Sequence, residues 1–204
     1  LNGSLSATFR ESYVDRLAQS SIVTVNHLLP MVTRRLHWPE QNTDVLLVGT
    51  RGETPILHRV DKQPLLAAVP PGTMVIGANV RSRLGLEPGT SVTLLGRAFQ
   101  VTMAHPPRGS MDDVTVWIDL REAQELLGLE NLIHGILALE CECAGDRIAQ
   151  VRAEIQGLLP GTQVIERHSQ ALARAEARTQ ARITAEQALA EAQASGAILL
   201  ARET

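Results

Sequence analysis

Between residues 64 and 120 the chain breaks into short, strand-like apolar runs separated by glycine and proline, a texture that leaves no room for a long helix. Residues 74–77, 91–95, 98–103 and 114–120 read as strands. Residues 78–84 fit a helix of one or two turns between the first two. Leu86-Glu87-Pro88-Gly89 is a turn leading into a strand, and Gly96-Arg97 sits where a tight hairpin would join residues 91–95 to 98–103. The segment 105–113, with two prolines, a glycine and two aspartates, reads as an exposed loop. This block is expected to be a small, mostly β subdomain.

Outside it the period changes. Leu5, Phe9, Tyr13 and Leu17 recur every four residues behind a possible serine cap, predicting one amphipathic helix over 4–19. Residues 22–25 have β-branched composition, 28–39 reads as a loop or short helix ending at Trp38-Pro39, and 44–49 as a strand apolar on both faces. Beyond Leu120 a short helix (121–127), a strand (133–142), a helix (145–158) bearing Ile148, Val151, Ile155 and Leu158 on one face, and a strand (162–166) follow. The last three form half of a split β-α-β unit whose partners are the strands of residues 22–49. Residues 51–130 are then an insertion into a subdomain made of 1–50 and 131–204, and the class is α+β. Residues 169–194 predict a long helix, with ten alanines in 26 positions.

Composition excludes some functions. A formal charge of -3 and 2% aromatic residues give neither a basic field nor stacking platforms for nucleic acid. An apolar content of 44% supplies an ordinary core. No run approaches the roughly 20 apolar residues that cross a bilayer, and residues 1–10 lack the order of a signal peptide. A chain of this kind is cytosolic unless it is a piece of something longer.

Three strings point to the second case. The first is Val75-Ile76-Gly77-Ala78-Asn79-Val80 to Leu84, then Gly85-Leu86-Glu87-Pro88-Gly89-Thr90-Ser91-Val92 and Arg97-Ala98-Phe99-Gln100-Val101. The second is Asp112-Asp113-Val114 through Val116-Trp117-Ile118-Asp119-Leu120 to Ala123-Gln124-Glu125-Leu126-Leu127. The third is Val151 to Ile155, Leu158-Leu159-Pro160-Gly161 and Val164. In this order they resemble the extracytoplasmic domain of FtsX-like, or MacB-type, ABC transporter permeases.

The resemblance implies a membrane-proximal α/β part made from both chain ends, an inserted β-rich part, and a position between two transmembrane helices. Residues 4–19 and 169–194 would then be stalk helices. It further implies a non-catalytic domain on the extracytoplasmic, or periplasmic, face of the cytoplasmic membrane that transmits ATP-driven motion and binds no cofactor. Its partners would be a cytoplasmic ATPase subunit, reached through the full-length permease, and an extracytoplasmic protein, lipoprotein or lipid cargo, with the full transporter a dimer. Cys141-Glu142-Cys143 and the short proline-rich loop at 105–109 match no general feature of that family.

The site candidates are few. Cys141 and Cys143 share a strand face with Leu137 and Leu139, which suits small core residues. A disulfide between them would be strained, and a metal would need two more ligands. The six histidines (27, 37, 58, 105, 134 and 168) are scattered, with surface or loop positions as the default and no metal site expected. Asp112 and Asp113 read as a solvated turn. No nucleophile motif or phosphate loop occurs. Arg174, Arg178 and Arg182 form a stripe facing solvent, headgroups or an acidic helix. Trp38 and the loop residues Pro106, Pro107 and Arg108 are the remaining candidates for partner contact. Two rival readings are a free-standing β-barrel-like adaptor over 64–120 and an enzyme using His105, Asp112 and Asp113.

Overall fold

Leu47 and Val116 lie side by side in the parallel pairing of β3 (Thr43–Thr50) with β7 (Thr115–Asp119), the seam at the middle of one seven-stranded sheet. The computed structural model describes residues 7–20, 25–55, 67–141 and 148–165. Strand order is β5-β6-β4-β7-β3-β2-β9, where β2 is Val25–Trp38, β4 Thr73–Ile76, β5 Ser91–Leu94, β6 Arg97–Ala104 and β9 Gly135–Cys141. Everything on the β7 side of the seam comes from residues 51–130, and everything on the β3 side comes from the two flanks. Mixed pairing and helices on the sheet make the fold α+β. These elements belong to one compact unit, Leu1–Gln163; of the other, Val164–Thr204, only residues 164 and 165 are described, and neither is in a helix or strand.

One face of the sheet holds the main core. Val45 and Leu47 of β3, Met74 and Ile76 of β4, Phe99 and Val101 of β6, and Val116 and Ile118 of β7 pack there with Trp38. The short helix α2 (Ala78–Leu84) adds Val80, and α3 (Leu120–Leu127) adds Ala123. Gly49 is required where α3 crosses β3, because a Cβ there would collide with that of Ala123. Asp119 caps α3, its Oδ1 accepting the N–H of Arg121 and of Glu122. Two smaller clusters lie toward the flanks. One joins Val14 of α1 (Tyr13–Gln19) to Val32, Leu120 and Ile133, and the other joins Leu17 to Leu28 and Leu159.

The strand runs 74–77, 91–95, 98–103 and 114–120 and the helices at 78–84 and 121–127 fall on β4, β5, β6, β7, α2 and α3. The helix expected at 145–158 is observed as α4 (Ile148–Leu158), residues 145–147 being outside the described set. Other expectations need correcting. Residues 28–38 are strand, not loop or helix: Pro30 suggests a break, yet it pairs with Ile136 alone and lies beyond the last β3 partner of β2, where no ladder bond needs its missing N–H. The first helix is only Tyr13–Gln19, because Phe9 and Arg10 form strand β1, paired with Ile133 and Leu132 of β8 (Leu132–Ile133). The strand expected over 133–142 is therefore two, interrupted at His134.

Residues 162–165 are not strand, and the Thr162 N–H and hydroxyl both donate to the Leu159 carbonyl to close a turn. The hairpin between β5 and β6 turns on Leu95-Gly96, both at positive φ, one residue earlier than expected. In β3, residues 43, 45, 47 and 49 are buried while Leu46 and Val48 are half-buried, so only one face is fully covered. The helix predicted for 169–194 and the strand residues 22–24 lie outside the described residues.

Candidate interaction surface

Trp38 is fully buried, which removes it as a partner contact. Its indole N–H donates to the Thr93 carbonyl at 2.7 Å, linking the end of β2 to the far edge strand β5. Three residues span the same gap again: the Glu40 carboxylate accepts the N–H of Gly96 at 2.7 Å and of Leu95 at 3.3 Å. The Gly96 bond, first, and the Leu95 bond hold the Glu40 pKa below its ordinary value. The sheet therefore curls around its core, so that edge strand β5 meets the end of β2 through side chains rather than a strand ladder.

The loop after β6 is pinned from one point. Both carboxylate oxygens of Asp113 accept loop amides, from Arg108 at 2.8 Å and Gly109 at 2.7 Å, and these bonds hold its pKa low, the Arg108 bond most of all. Asp113 is buried instead of sitting in a solvated turn. Arg108 reaches Asp112 at 2.9 Å. The 3-10 turn Met111–Val114 docks on the N-terminus of α2, where a side chain on Gly77 would strike the carbonyls of Asp112 and Asp113. Pro106, Pro107 and Arg108 thus stand exposed on a braced loop.

His105 packs edge-on to Trp117, ring centroids 5.0 Å apart. Burial, with the Arg108 charge second, lowers the His105 pKa, while Asp112 opposes the shift. His105, Asp112 and Asp113 each have a separate partner: the Trp117 ring, the Arg108 guanidinium and two loop amides in turn. Of the other histidines, His27 departs from the expected surface or loop positions, while His134 is half-buried at the bend between β8 and β9. His27 is buried, with Nδ1 2.6 Å from Glu53 Oε2, and His134 Nδ1 accepts the Thr33 N–H at 3.2 Å. Burial, then the Arg34 charge, lowers the pKa of His134. His37 is exposed and pairs with Asp44 at 2.8 Å. Cys141 ends β9, opposite Val25, and Cys143, His58, His168, Arg174, Arg178 and Arg182 lie outside the described residues.

The outer face holds what the sequence reading missed. Register aligns Thr33, Val48, Trp117, Val75 and Met103 in one row across five strands, and Arg35, Leu46 and Thr115 in the next. Beside that second row lies an open groove of about 400 Å³, bounded by Arg35, His37, Asp44, Leu46, Met111 and Val114. Alternation of Arg35 and His37 with Leu36 and Trp38 was the available signal, hidden by the helix-or-loop reading of that stretch.

No protein-family model matches the chain, and no curated protein sequence matches it. Among solved structures, the extracellular domain of the ABC-type transporter YknZ from Gram-positive bacteria superposes with a TM-score of 0.57 at 19% identity, covering 79% of this chain and 91% of that one. The chain has the fold of that extracellular domain. The periplasmic region of MacB from Actinobacillus actinomycetemcomitans also aligns, with a TM-score of 0.49 at 12% identity over 74% of each chain. In this fold the first sequence string runs from β4 through α2 and β5 to β6, and the second runs from the 3-10 turn through β7 to α3. The third covers α4 and the turn after it. No helix among the described residues is long and apolar enough to cross a membrane.

Proposed function

We propose that this chain is the extracytoplasmic domain of an ABC transporter permease subunit, coupling ATP-driven motion of a transmembrane part to an extracytoplasmic partner or substrate. The observation that supports it most is the fold shared with the YknZ extracellular domain over 91% of that domain. Because 19% identity supports a shared fold and nothing finer, the assignment of role leans on the three sequence strings. In this reading the domain has no active site. It stands on the outer face of the cytoplasmic membrane, works with a cytoplasmic ATPase subunit through the rest of the permease, and is present twice in the assembled transporter.

The two-part division into 1–50 with 131–204, and 51–130, belongs to the same proposal. Its support is that the two parts occupy separate halves of the sheet, divided at the β3–β7 seam. The exposed loop residues Pro106, Pro107 and Arg108 are proposed to touch the partner, as are Arg174, Arg178 and Arg182. A free-standing barrel over 64–120 has no support, since β7 pairs with β3 and the core of that block is completed by Trp38, Val45 and Leu47.

The full gene gives the first test: apolar segments of about 20 residues are expected before Leu1 and after Thr204. Their lack on either side sinks the reading. The second test is the ATPase rate of the reconstituted transporter. Replacing Pro106, Pro107 and Arg108 together by alanine is expected to abolish its stimulation by the extracytoplasmic partner while leaving the basal rate unchanged, and full stimulation in that variant rejects the loop as a contact.

A further inference from the structure

Arg35 is an exposed cation at the mouth of an apolar groove. Among the described residues its guanidinium contacts the Met111 sulfur, at 3.9 Å, and no carboxylate. Four exposed arginines are ion-paired, Arg81 with Glu87, Arg97 with Glu125, Arg108 with Asp112 and Arg121 with Glu125. Among the described residues Arg35 shares the absence of a carboxylate partner with Arg34 and Arg83 but is the one that lines the groove. Asp44, the acid beside the groove, is engaged by His37. The floor is Leu46 and Val114, both half-buried, and Met111 forms a flexible wall that is 46% exposed. Along the outer face the register row runs from Val48 and Trp117, both half-buried, past buried Val75 to Met103, itself 46% exposed. That is three strand spacings, about 14 Å.

The geometry decides which ligand this surface suits. A sheet face presents side chains alone, its N–H and C=O groups being spent in the plane of the ladder. An extended peptide laid across it would bury amides with nothing to bond them, whereas an alkyl chain has no such groups to satisfy. The uncompensated guanidinium at the end of the groove selects a negative head, and its planar fork matches the oxygens of a carboxylate or phosphate. The groove, open and about 400 Å³ in volume, sets Leu46, Val114 and Met111 beside the polar groups of Arg35 and of the His37–Asp44 pair, and its volume lies within the range of small-ligand sites.

We propose that this groove binds an anionic amphiphile, its alkyl chain on Leu46, Val114 and Met111 and its head group on Arg35. The proposal rests on the groove and not on the transporter reading. A binding failure in the isolated chain leaves that reading standing, and a failure of ATPase coupling leaves the binding result standing.

The test is calorimetric titration of the 204-residue chain with dodecyl phosphate below its micelle concentration, beside dodecyl maltoside and inorganic phosphate. Dodecyl phosphate is expected to bind at one site, dodecyl maltoside at least about tenfold more weakly, and inorganic phosphate not measurably. Arg35→Gln should weaken dodecyl phosphate by about tenfold and leave dodecyl maltoside unchanged. Met111→Glu should weaken both, and Arg152→Gln, on the exposed side of α4, neither. Both test positions are exposed, so an unchanged melting temperature separates lost binding from lost fold. Equal affinity for the two amphiphiles, indifference to Arg35→Gln, or saturable binding of an acidic amphipathic peptide in place of dodecyl phosphate overturns the proposal.

Discussion

Trp38 and Trp117 stand on opposite faces of the same sheet, and their surroundings differ as the faces do. Trp38 lies wholly inside, packed in the main core, with its N–H bonded to the Thr93 carbonyl. Trp117 is half-buried, touched edge-on by His105 and flanked by Val48 and Val75 in neighbouring strands. The inner face has its apolar surface covered by the curl of the sheet and by α2 and α3. The outer face keeps a band of apolar side chains at the surface. One residue type thus serves closure on one side and remains available on the other, which a count of aromatics would never separate.

Truncating Trp38 gives the sharpest break of this comparison. Trp38→Ala should cost about 3–5 kcal/mol, because it opens a cavity in the core and leaves the Thr93 carbonyl without its donor. Trp38→Phe should recover most of the packing and lose the bond. Urea denaturation measures both, and a loss below about 1 kcal/mol for the alanine variant would show that the curl does not depend on Trp38. Next comes Gly77→Ala, expected to cost about 1–3 kcal/mol, since the new methyl must displace backbone carbonyls of the pinned loop rather than a side chain. Faster proteolysis near Arg108 should accompany it. A neutral result means that the loop rides on α2 without being braced by it.

Much of the inner face was legible from the chain alone. Gly-and-Pro-punctuated runs gave β4, β5, β6 and β7 to within one or two residues, because each is a short strand-like run whose bounding signals are local. What failed depended on distant partners. Pro30 looks like a break until β9 is known to supply its only neighbour, and Phe9 continues a four-residue period until Ile133 recruits it into a two-residue strand. Trp38 beside Pro39 reads as an exposed corner, and only the meeting of β2 with β5 buries it. The groove was illegible for the same reason: Arg35, Leu46 and Met111 are brought together by β-sheet register and by the Asp113 clamp, neither of which any local window contains.

Trp117→Ala should cost less than either inner-face change, roughly 1 kcal/mol, because its ring is half in water already. A loss as large as that of Trp38→Ala would mean that the outer face is as tightly packed as the inner one, and the contrast would collapse.

The smallest effect is also the most specific. His105 is held below its ordinary pKa of 6.5 first by burial, and then by the Arg108 charge. Between that depressed value and 6.5 the unfolded chain binds more protons at this position than the folded one. The His105 contribution to stability is thus complete above 6.5, falls as pH drops through the window, and is constant again below the folded-state pKa. Since the Trp117 ring covers one edge of the imidazole, Trp117→Ala should rehydrate it and move its titration up toward 6.5, as read from the imidazole proton shifts by NMR. Trp38→Phe, on the far face, should leave that titration where it was. If both variants move it equally, His105 senses the stability of the whole sheet, and the two faces are not independent.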